Sequence, residues 1–567
     1  MTPRAKKIWE DRYKYAGDQT FTDSLMRVYN RIQHEIPEEN KQFAHDALKN
    51  HHFVPGGRIL ASFGTTGYNE MGLNCFTLKV EDNLESIGEM QKRSRIIFSF
   101  GGGVGFRFNI RPKGFPVNRP YGSAAGVCNY IDEYNLSVYG ATQRGLRRGA
   151  ALGVIDITHP EVFDYATAKR SDNDRWQCFN VSVGINEAFV DALQRKAKVS
   201  LSYNGMVSQT LDAKTLLYQL AENAWHNGDP GLFHEVNCNR WSNLNDPIVA
   251  FNPCGEVPLP NYGVCCLGSI VLPAIASSDD GIEYTPNFNA LEQTIRGAVN
   301  ILDAVLDITA YPYSEIEIKA RSQRRIGIGV TGFGTYLTML GLIYGSNLAI
   351  NHTELLFRFI RDVAYDESVK LASIKGKAPS LENESMFNYF RNSLFVQRLD
   401  HSTRLSIAKH GCRNTALLSV APTGTITEVI SGDYEGLLST GIEPVFQSVY
   451  QRRYTSFDDT ERIETQDYLI AKQKGRKCVT AHDVTPDGHM DMLETAQRYV
   501  DNSISKTINM PHEATVDDVY AVYERCVLSD FLKGITIFRD RCDKAGVLTR
   551  LDEETRCDDT TCTVCGV

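Results

Sequence analysis

The chain has 567 residues, 42% hydrophobic and 23% charged, enough apolar material for one large core or several ordinary ones, which excludes a disordered or fibrous protein. Its 60 basic against 69 acidic residues give a net charge of -9, so nothing in the overall balance attracts nucleic acid. No apolar run approaches the roughly 18 residues of a membrane span, and the opening MTPRAKKIWEDRYKYAG lacks the apolar stretch of a secretion signal, so a cytoplasmic protein is expected. The first fifty residues, rich in charge and poor in strand signals, read as helical. Ala290, Leu291, Ile295, Ala298, Val299, Ile301, Leu302, Val305 and Leu306 recur at helical spacing and describe one buried face. Near the far end Thr515 and Asp518 read as an N-cap and first-turn acid, with a helix running to Leu532, a stop at Gly534 and a buried strand over Ile535–Phe538. This alternation predicts α/β architecture with parallel strands covered by helices. The closing LDEETRCDDTTCTVCG has no core pattern and reads as a mobile tail. The organisation expected is therefore a helical region over 1–50, a catalytic body over 51–550 and a tail over 551–567.

Two glycine motifs need weighing. Gly327, Gly329 and Gly332 satisfy the dinucleotide fingerprint G-x-G-x-x-G, but they follow the basic run Arg321–Arg325, which leaves little room for a central strand, and no clear acid stands the usual distance on. Close packing between strand and helix is the expectation there. Gly101, Gly102, Gly103 and Gly105 form a second stretch in which backbone can approach a ligand or neighbour closely. The segment Ala421-Pro422-Thr423-Gly424-Thr425-Ile426 follows an apolar run. An ordinary turn is one reading; if a helix begins there, its amides and two threonines form an anion cradle.

In a reducing compartment the 14 cysteines do not form a structural disulfide framework, and they sort into three kinds. Asn252-Pro253-Cys254-Gly255-Glu256 places an amide, a thiol and a carboxylate at alternate positions, which in an extended loop point to one side: a hydrogen-bonding group, a nucleophile or hydrogen-atom donor, and a base. A Pro-Gly turn carrying a buried cysteine is the plain alternative. Cys265 and Cys266 follow, and Cys75, far upstream in an apolar stretch, is a candidate to meet Cys265 across neighbouring strands. In the tail, Cys562 and Cys565 form a C-x-x-C preceded by Cys557, a pattern suited to thiol–disulfide exchange, with zinc as competitor. The others, such as Cys128, Cys178, Cys238, Cys412, Cys478 and Cys526, are most simply small core residues.

Taken together, PGGRIL from Pro55, NCFTL from Asn74, RPKG from Arg111, RRGAALGVIDITHPEVF from Arg147, NPCGEVPLP from Asn252, CCLGSIVLP from Cys265, RRIGIGVTGF from Arg324, APTGTIT from Ala421, GIEPVF from Gly441, DNSISKTINMP from Asp501 and GITIFRD from Gly534 resemble, in this order, the catalytic chain of adenosylcobalamin-dependent (class II) ribonucleotide reductases. The resemblance implies a ten-stranded α/β barrel of the type shared with glycyl-radical enzymes, with a central finger loop. It implies Cys254 as the thiyl-radical residue at the loop tip, Glu256 as the base at the substrate 3′-hydroxyl, Asn252 as a hydrogen-bonding support, and Cys75 with Cys265 as the reducing dithiol. Pro422, Thr423, Gly424, Thr425 and Ile426 would take the substrate phosphates, with Gly103 nearby. Cys562 and Cys565 would re-reduce the buried pair, themselves reduced by thioredoxin or glutaredoxin.

The class follows from what is missing as well as from what is present. Relatives whose radical arrives from an external subunit pass it through adjacent tyrosines near the C-terminus, and no Tyr-Tyr pair occurs in this chain. Val564-Cys565-Gly566-Val567 lacks the arginine and aromatic of a glycyl-radical segment. In relatives the segment around Gln143–Ala151 links a deoxynucleotide effector to base choice. Gln143, Arg147 and Arg148 match that loop, an arginine pair on a solvated face being the alternative, and Asn135 stands where some relatives place an effector-holding acid. The residues before the match amount to roughly half a small domain, so control of overall activity by ATP and dATP is not expected. A monomer or homodimer acting on di- or triphosphates fits the resemblance equally.

Overall fold

The computed structural model describes residues 1–66, 70–117, 122–140, 142–143, 147–170, 175–176, 178–453, 460–540 and 542. Five parallel strands lead the body: β1 (Cys75–Glu81), β2 (Gly103–Asn109), β3 (Ala150–Asp156), β4 (Phe179–Gly184) and β5 (Gly231–Phe233). Helices Leu84–Ser99, Val127–Gly140, Val162–Thr167 and Ala213–Asn227 lie between them in sequence. Parallel neighbours require such crossovers, and strands covered on both faces read as apolar runs. The second half repeats the plan with β6 (Val264–Val271), β7 (Ile326–Thr331), the extended segment 416–420, β8 (Thr507–Met510) and β9 (Gly534–Arg539). Strand β7 runs parallel to β6. Segment 416–420 bridges β7 through Ile328↔Leu418 and the approach to β8 through Val420↔Ile504, both in parallel. Strand β8 then pairs in parallel with β9.

The two halves join antiparallel at both seams, β1 to β6 and β5 to β9. Nine strands and one extended segment thus close into a ten-stave α/β barrel, as the resemblance implies. Between the two β1/β6-to-β5/β9 seams, the hairpin Ile248–Phe251 and Pro258–Pro260 carries its turn, 252–257, into the middle. Its central position explains Gly105 on β2: a Cβ there would stand 1.6 Å from the Phe251 carbonyl oxygen. From the other half, a Cβ at Gly534 would stand 2.6 Å from the Phe251 ring.

The predicted helix at 290–306 is present as Phe288–Ile308, with thirteen of its residues buried. The first fifty residues form helices Pro3–Arg12, Phe21–Ile32 and Lys41–Lys49, together with short 3-10 turns. Two expectations differ. The helix capped by Thr515 and Asp518 ends at Leu528, before Leu532, because the Ser529 hydroxyl accepts from the amides of Phe531 and Leu532 (3.2 Å each) and turns the chain out of the helix. The basic run does leave room for a central strand, since β7 starts directly after Arg325 and is buried throughout. Two of those arginines belong to the core: Arg324 and Arg325 are both buried. Arg324 donates to Asp303 at 2.7 and 2.9 Å. Burial alone would raise the Asp303 carboxyl, but Arg324, Arg413 and Lys375 around it hold it below the usual range. The glycines of β7 serve packing, as expected: a Cβ at Gly329 would stand 2.4 Å from the Ser419 carbonyl oxygen.

Candidate active site

The finger turn is closed rather than extended. The Asn252 amide nitrogen donates to the Val257 carbonyl (3.1 Å), and the Val257 and Gly255 amides return to Asn252 Oδ1 (2.9 Å) and O (3.0 Å). Gly255 takes φ +81°, a left-handed conformation that favours glycine. The expected alternation of Asn252, Cys254 and Glu256 on one side is therefore replaced by a curl, in which Asn252 and Glu256 turn into the barrel and are buried while Cys254 is exposed at the tip. Each barrel half holds the curl by a side chain. Asn180 of β4 donates to the Pro253 carbonyl (3.0 Å), and Ser419 Oγ donates to the Glu256 carbonyl (2.9 Å), which also accepts from the Ser503 amide (2.9 Å).

Four of the five predicted catalytic side chains converge. Asn252 Nδ2 donates to Cys75 Sγ (3.1 Å), and Cys75 Sγ lies 4.0 Å from Glu256 Oε1. Cys75 and Cys265 are direct cross-strand partners at the β1/β6 seam. Directly opposed residues bring their Cβ atoms to about 4.5–5.5 Å. Cys266, the next residue, packs into the main core, whereas Cys265 belongs to a small buried cluster with Cys75, Val257, Leu259 and Leu267. The pleat of β6 makes that distinction, because successive side chains leave opposite faces.

Burial sets the protonation states. It pushes the Cys75 thiol well above its ordinary range, assisted by the nearby charges of Glu256, Cys254 and Cys265, and does the same to Cys265. It also raises Glu256 to about 7, against the lowering influence of the Asn252 side chain. Glu256 Oε2 is buried and has no hydrogen-bond partner among the described residues. At neutral pH the site therefore combines neutral thiols with a carboxyl poised to take or give a proton.

Cys254 lies on the wall between two cavities. The first, about 270 Å³, is lined by Cys75, Asn252, Cys254, Glu256, Gly103 and the whole of Pro422–Ile426, with Tyr13 from the N-terminal segment. Thr423 holds a left-handed φ of +55°, and its hydroxyl pairs with Thr331 Oγ1 (2.8 Å) and accepts from the Gly441 amide (2.9 Å). A helix does begin at the predicted place, Gly424–Ile430. The second cavity, about 310 Å³, lies beyond Pro253, Cys254 and Gly255 and includes Asn180, Ser182, Ser505, Thr507 and Thr536 in its lining. Through Thr507 and Phe538 it shares walls with a third, about 390 Å³, containing Val445 and Phe446.

Not every predicted residue is brought here. Gln143 and Arg147 pair across the short hairpin Thr142–Gln143/Arg147–Arg148 that leads into β3, and their side chains and that of Arg148 are outside the described set. Cys562 and Cys565, with the rest of the predicted tail, also lie outside the described residues. Asn135 accepts from the Cys178 amide (3.1 Å). Sequence reasoning missed Asn180, Ser419, Ser503 and Tyr13. Of these Asn180 left a trace as one of two polar residues in the otherwise apolar strand FNVSVG, and Ser503 stands in the run DNSISKTINMP.

The model of the ribonucleotide reductase barrel domain matches residues 73–537. A vitamin B12-dependent ribonucleoside-diphosphate reductase of Mycobacterium tuberculosis (strain CDC 1551 / Oshkosh) is 33% identical over 525 residues, 87% of this chain and 71% of its own length. One of the same name from Thermoplasma acidophilum is 31% identical over 538 residues, 89% of this chain and 66% of its own. A ribonucleoside-diphosphate reductase large chain of Encephalitozoon cuniculi is 24% identical, over 76% of this chain and 60% of its own. With the barrel, the finger turn and the cross-strand cysteines in place, the chain belongs to the ribonucleotide reductases.

Proposed function

We propose that this chain reduces ribonucleotides to 2′-deoxyribonucleotides by thiyl-radical chemistry begun by adenosylcobalamin, and so supplies DNA precursors. The observation that carries this reading is the position of Cys254, which borders on one side a cavity lined by Cys75 and Glu256, with Cys265 paired to Cys75 across the seam, and on the other a second cavity lined by none of these three. The second cavity suits the cofactor: Asn180, Ser182, Ser505, Thr507 and Thr536 would hold its nucleoside part, and the apolar Val445, Phe446 and Phe538 a face of its ring. When bound, adenosylcobalamin supplies a deoxyadenosyl radical by homolysis of its cobalt–carbon bond.

The protein's own residues account for the remaining steps. Cys254, as thiyl, takes the 3′ hydrogen atom of a nucleotide seated in the first cavity, and Glu256 accepts the 3′-hydroxyl proton. A thiol of the Cys75/Cys265 pair protonates the departing 2′-hydroxyl, which leaves as water. The pair supplies two electrons and closes to a disulfide, Glu256 returns its proton, and Cys254 gives its hydrogen atom back to C3′. The balance is ribonucleotide plus dithiol to deoxyribonucleotide plus disulfide plus water. Raised thiol pKa values suit this role, since only a protonated thiol can donate a proton to the leaving group. Substrate and cofactor on either side of Cys254 exclude water from it. Pro422–Ile426 receive the phosphates. Cys562 and Cys565 reopen the buried disulfide and pass the oxidation to thioredoxin or glutaredoxin, and Gln143, Arg147 and Arg148 relay a deoxynucleotide effector.

The test is deoxyribonucleotide formation by the purified chain with a dithiol, with and without adenosylcobalamin, on both di- and triphosphates. Turnover only with the cofactor is expected. Turnover without it, dependent on an activating partner, overturns the reading.

A further inference from the structure

The substrate cavity lacks something that a nucleoside polyphosphate needs. Among its described lining residues there is no lysine, arginine or histidine, and the only ionisable side chain with a negative form near neutrality, Glu256, has the wrong sign. Hydroxyls and amides at 422–426 can hydrogen-bond phosphate oxygens, but they do not neutralise them. At that end of the cavity a guanidinium arrives from far away in sequence: Arg12 Nη1 stands 3.4 Å from Thr425 Oγ1. Its neighbour Tyr13 is buried and lines the cavity itself.

The arrangement is fixed by packing. Helix Pro3–Arg12 rests on the end of helix Gly424–Ile430, where a Cβ at Gly432 would stand 2.7 Å from Met1 and 2.9 Å from Ala5. Trp9 Nε1 donates to Ser24 Oγ (2.9 Å), and Arg27 Nη2 donates to the Tyr13 carbonyl (3.1 Å). The acids beside Arg12 are taken by others, Glu10 by Lys14 (3.2 Å) and Asp11 by Lys7 (3.4 Å). Arg12 is thereby left without an ion pair among the described residues, its charge directed to the Thr425 end of the cavity.

We infer that Arg12 binds the substrate polyphosphate, so that the N-terminal helix completes the nucleotide site and sets its preference for polyphosphorylated over monophosphorylated nucleotides. This rests on the reading of the first cavity as the substrate site. An arginine fork suits the task, since it offers two parallel donors to a phosphate.

The test is equilibrium binding of a ribonucleoside mono- and diphosphate to the full chain without cofactor, followed by KM and kcat of the complete enzyme. Arg12→Ala should weaken diphosphate binding and raise KM by about 10- to 100-fold, leaving monophosphate binding, kcat and the melting temperature near wild type. Arg12→Lys should recover part of the loss. Lys6→Ala, which removes one exposed positive charge from the same helix and leaves the Lys7–Asp11 and Lys14–Glu10 pairs in place, should change none of these. Unchanged diphosphate affinity in a normally melting Arg12→Ala protein overturns the inference, as does an equal loss in Lys6→Ala. A wild-type chain that binds no ribonucleotide sinks the reading of the cavity itself, a separate outcome from the loss of Arg12's role.

Discussion

The two cavities that meet at Cys254 are made of different materials. On the Glu256 side, Cys75, Cys265, Asn252 and Glu256 are packed so that burial decides every protonation state. On the Asn180 side the other polar groups are amides and hydroxyls, and the two charged side chains in the lining are turned to partners, Asp229 to Lys169 (3.0 Å) and Lys506 to Glu443 and to His489 Nδ1 at 3.0 Å. The first side is built to move protons and electrons. The second is built to hold something that brings its own reactivity. The radical transfer proposed above needs both, and on that proposal a single exposed thiol between them connects a radical source to a substrate without letting the two share a chamber.

The largest effect falls on that connection. Cys254→Ser should lower turnover on the order of 10⁴-fold or more with any reductant, while nucleotide binding persists. Cys562→Ser should abolish turnover with thioredoxin alone and spare it with a small dithiol. Equal losses under both reductants in Cys562→Ser would show that the tail pair is part of the site rather than a relay to it.

A smaller effect is expected at the base. Glu256→Gln should reduce kcat by about 10²- to 10⁴-fold, and wild-type kcat should rise with pH through about 7 as the carboxyl ionises. Stability should move the opposite way. The folded state raises Glu256 from 4.5 to about 7, so it binds the proton more tightly than the unfolded chain. The associated stability is complete below the unfolded pKa and is lost as pH climbs through about 7. The full loss corresponds to roughly 3 kcal/mol at about 1.4 kcal/mol per pH unit. Glu256→Gln, which cannot ionise, should therefore unfold at a higher temperature than wild type at pH 8 and lose that advantage by pH 5. A pH-independent difference in melting would mean that Glu256 is not held at a raised pKa.

Much of this was legible before any coordinates. The helix over Phe288–Ile308 declares itself by apolar spacing, and β9 by its short apolar run, because burial of one face or of both leaves a periodic mark. NPCGE marks the finger turn, since its residue types are chemical before they are structural. Long-range arrangement was not legible from pattern. Cys75 and Cys265 are separated by most of one barrel half, and only the seam of β1 with β6 makes them neighbours. The basic run ending in Arg324 and Arg325 reads as leaving little room for a central strand, yet both arginines are buried at the start of one, because Asp303 that receives Arg324 comes from another helix. Arg12 and Tyr13 belong to a segment whose composition says only that it is helical; their place at the Thr425 end of the cavity follows from helix packing that local spacing does not encode.

The smallest effect separates support of the finger from chemistry on it. Asn180 belongs to the second cavity's wall, yet its one described side-chain hydrogen bond holds the Pro253 carbonyl, one residue before Cys254. Asn180 is exposed, so water can replace the amide in Asn180→Ala, and the loss should be near that of one neutral hydrogen bond, about 1 kcal/mol or roughly fivefold in kcat. Asn180→Asp is nearly isosteric but presents an acceptor to the same carbonyl. Repulsion there should displace the turn and cost more than the alanine, with KM for the nucleotide unchanged in both because the first cavity is untouched. If the aspartate instead matches wild type while alanine loses activity, the side chain contributes bulk rather than a donated hydrogen bond. If KM for the nucleotide rises and kcat holds, the wall between the two cavities is not the barrier to substrate that the comparison makes it.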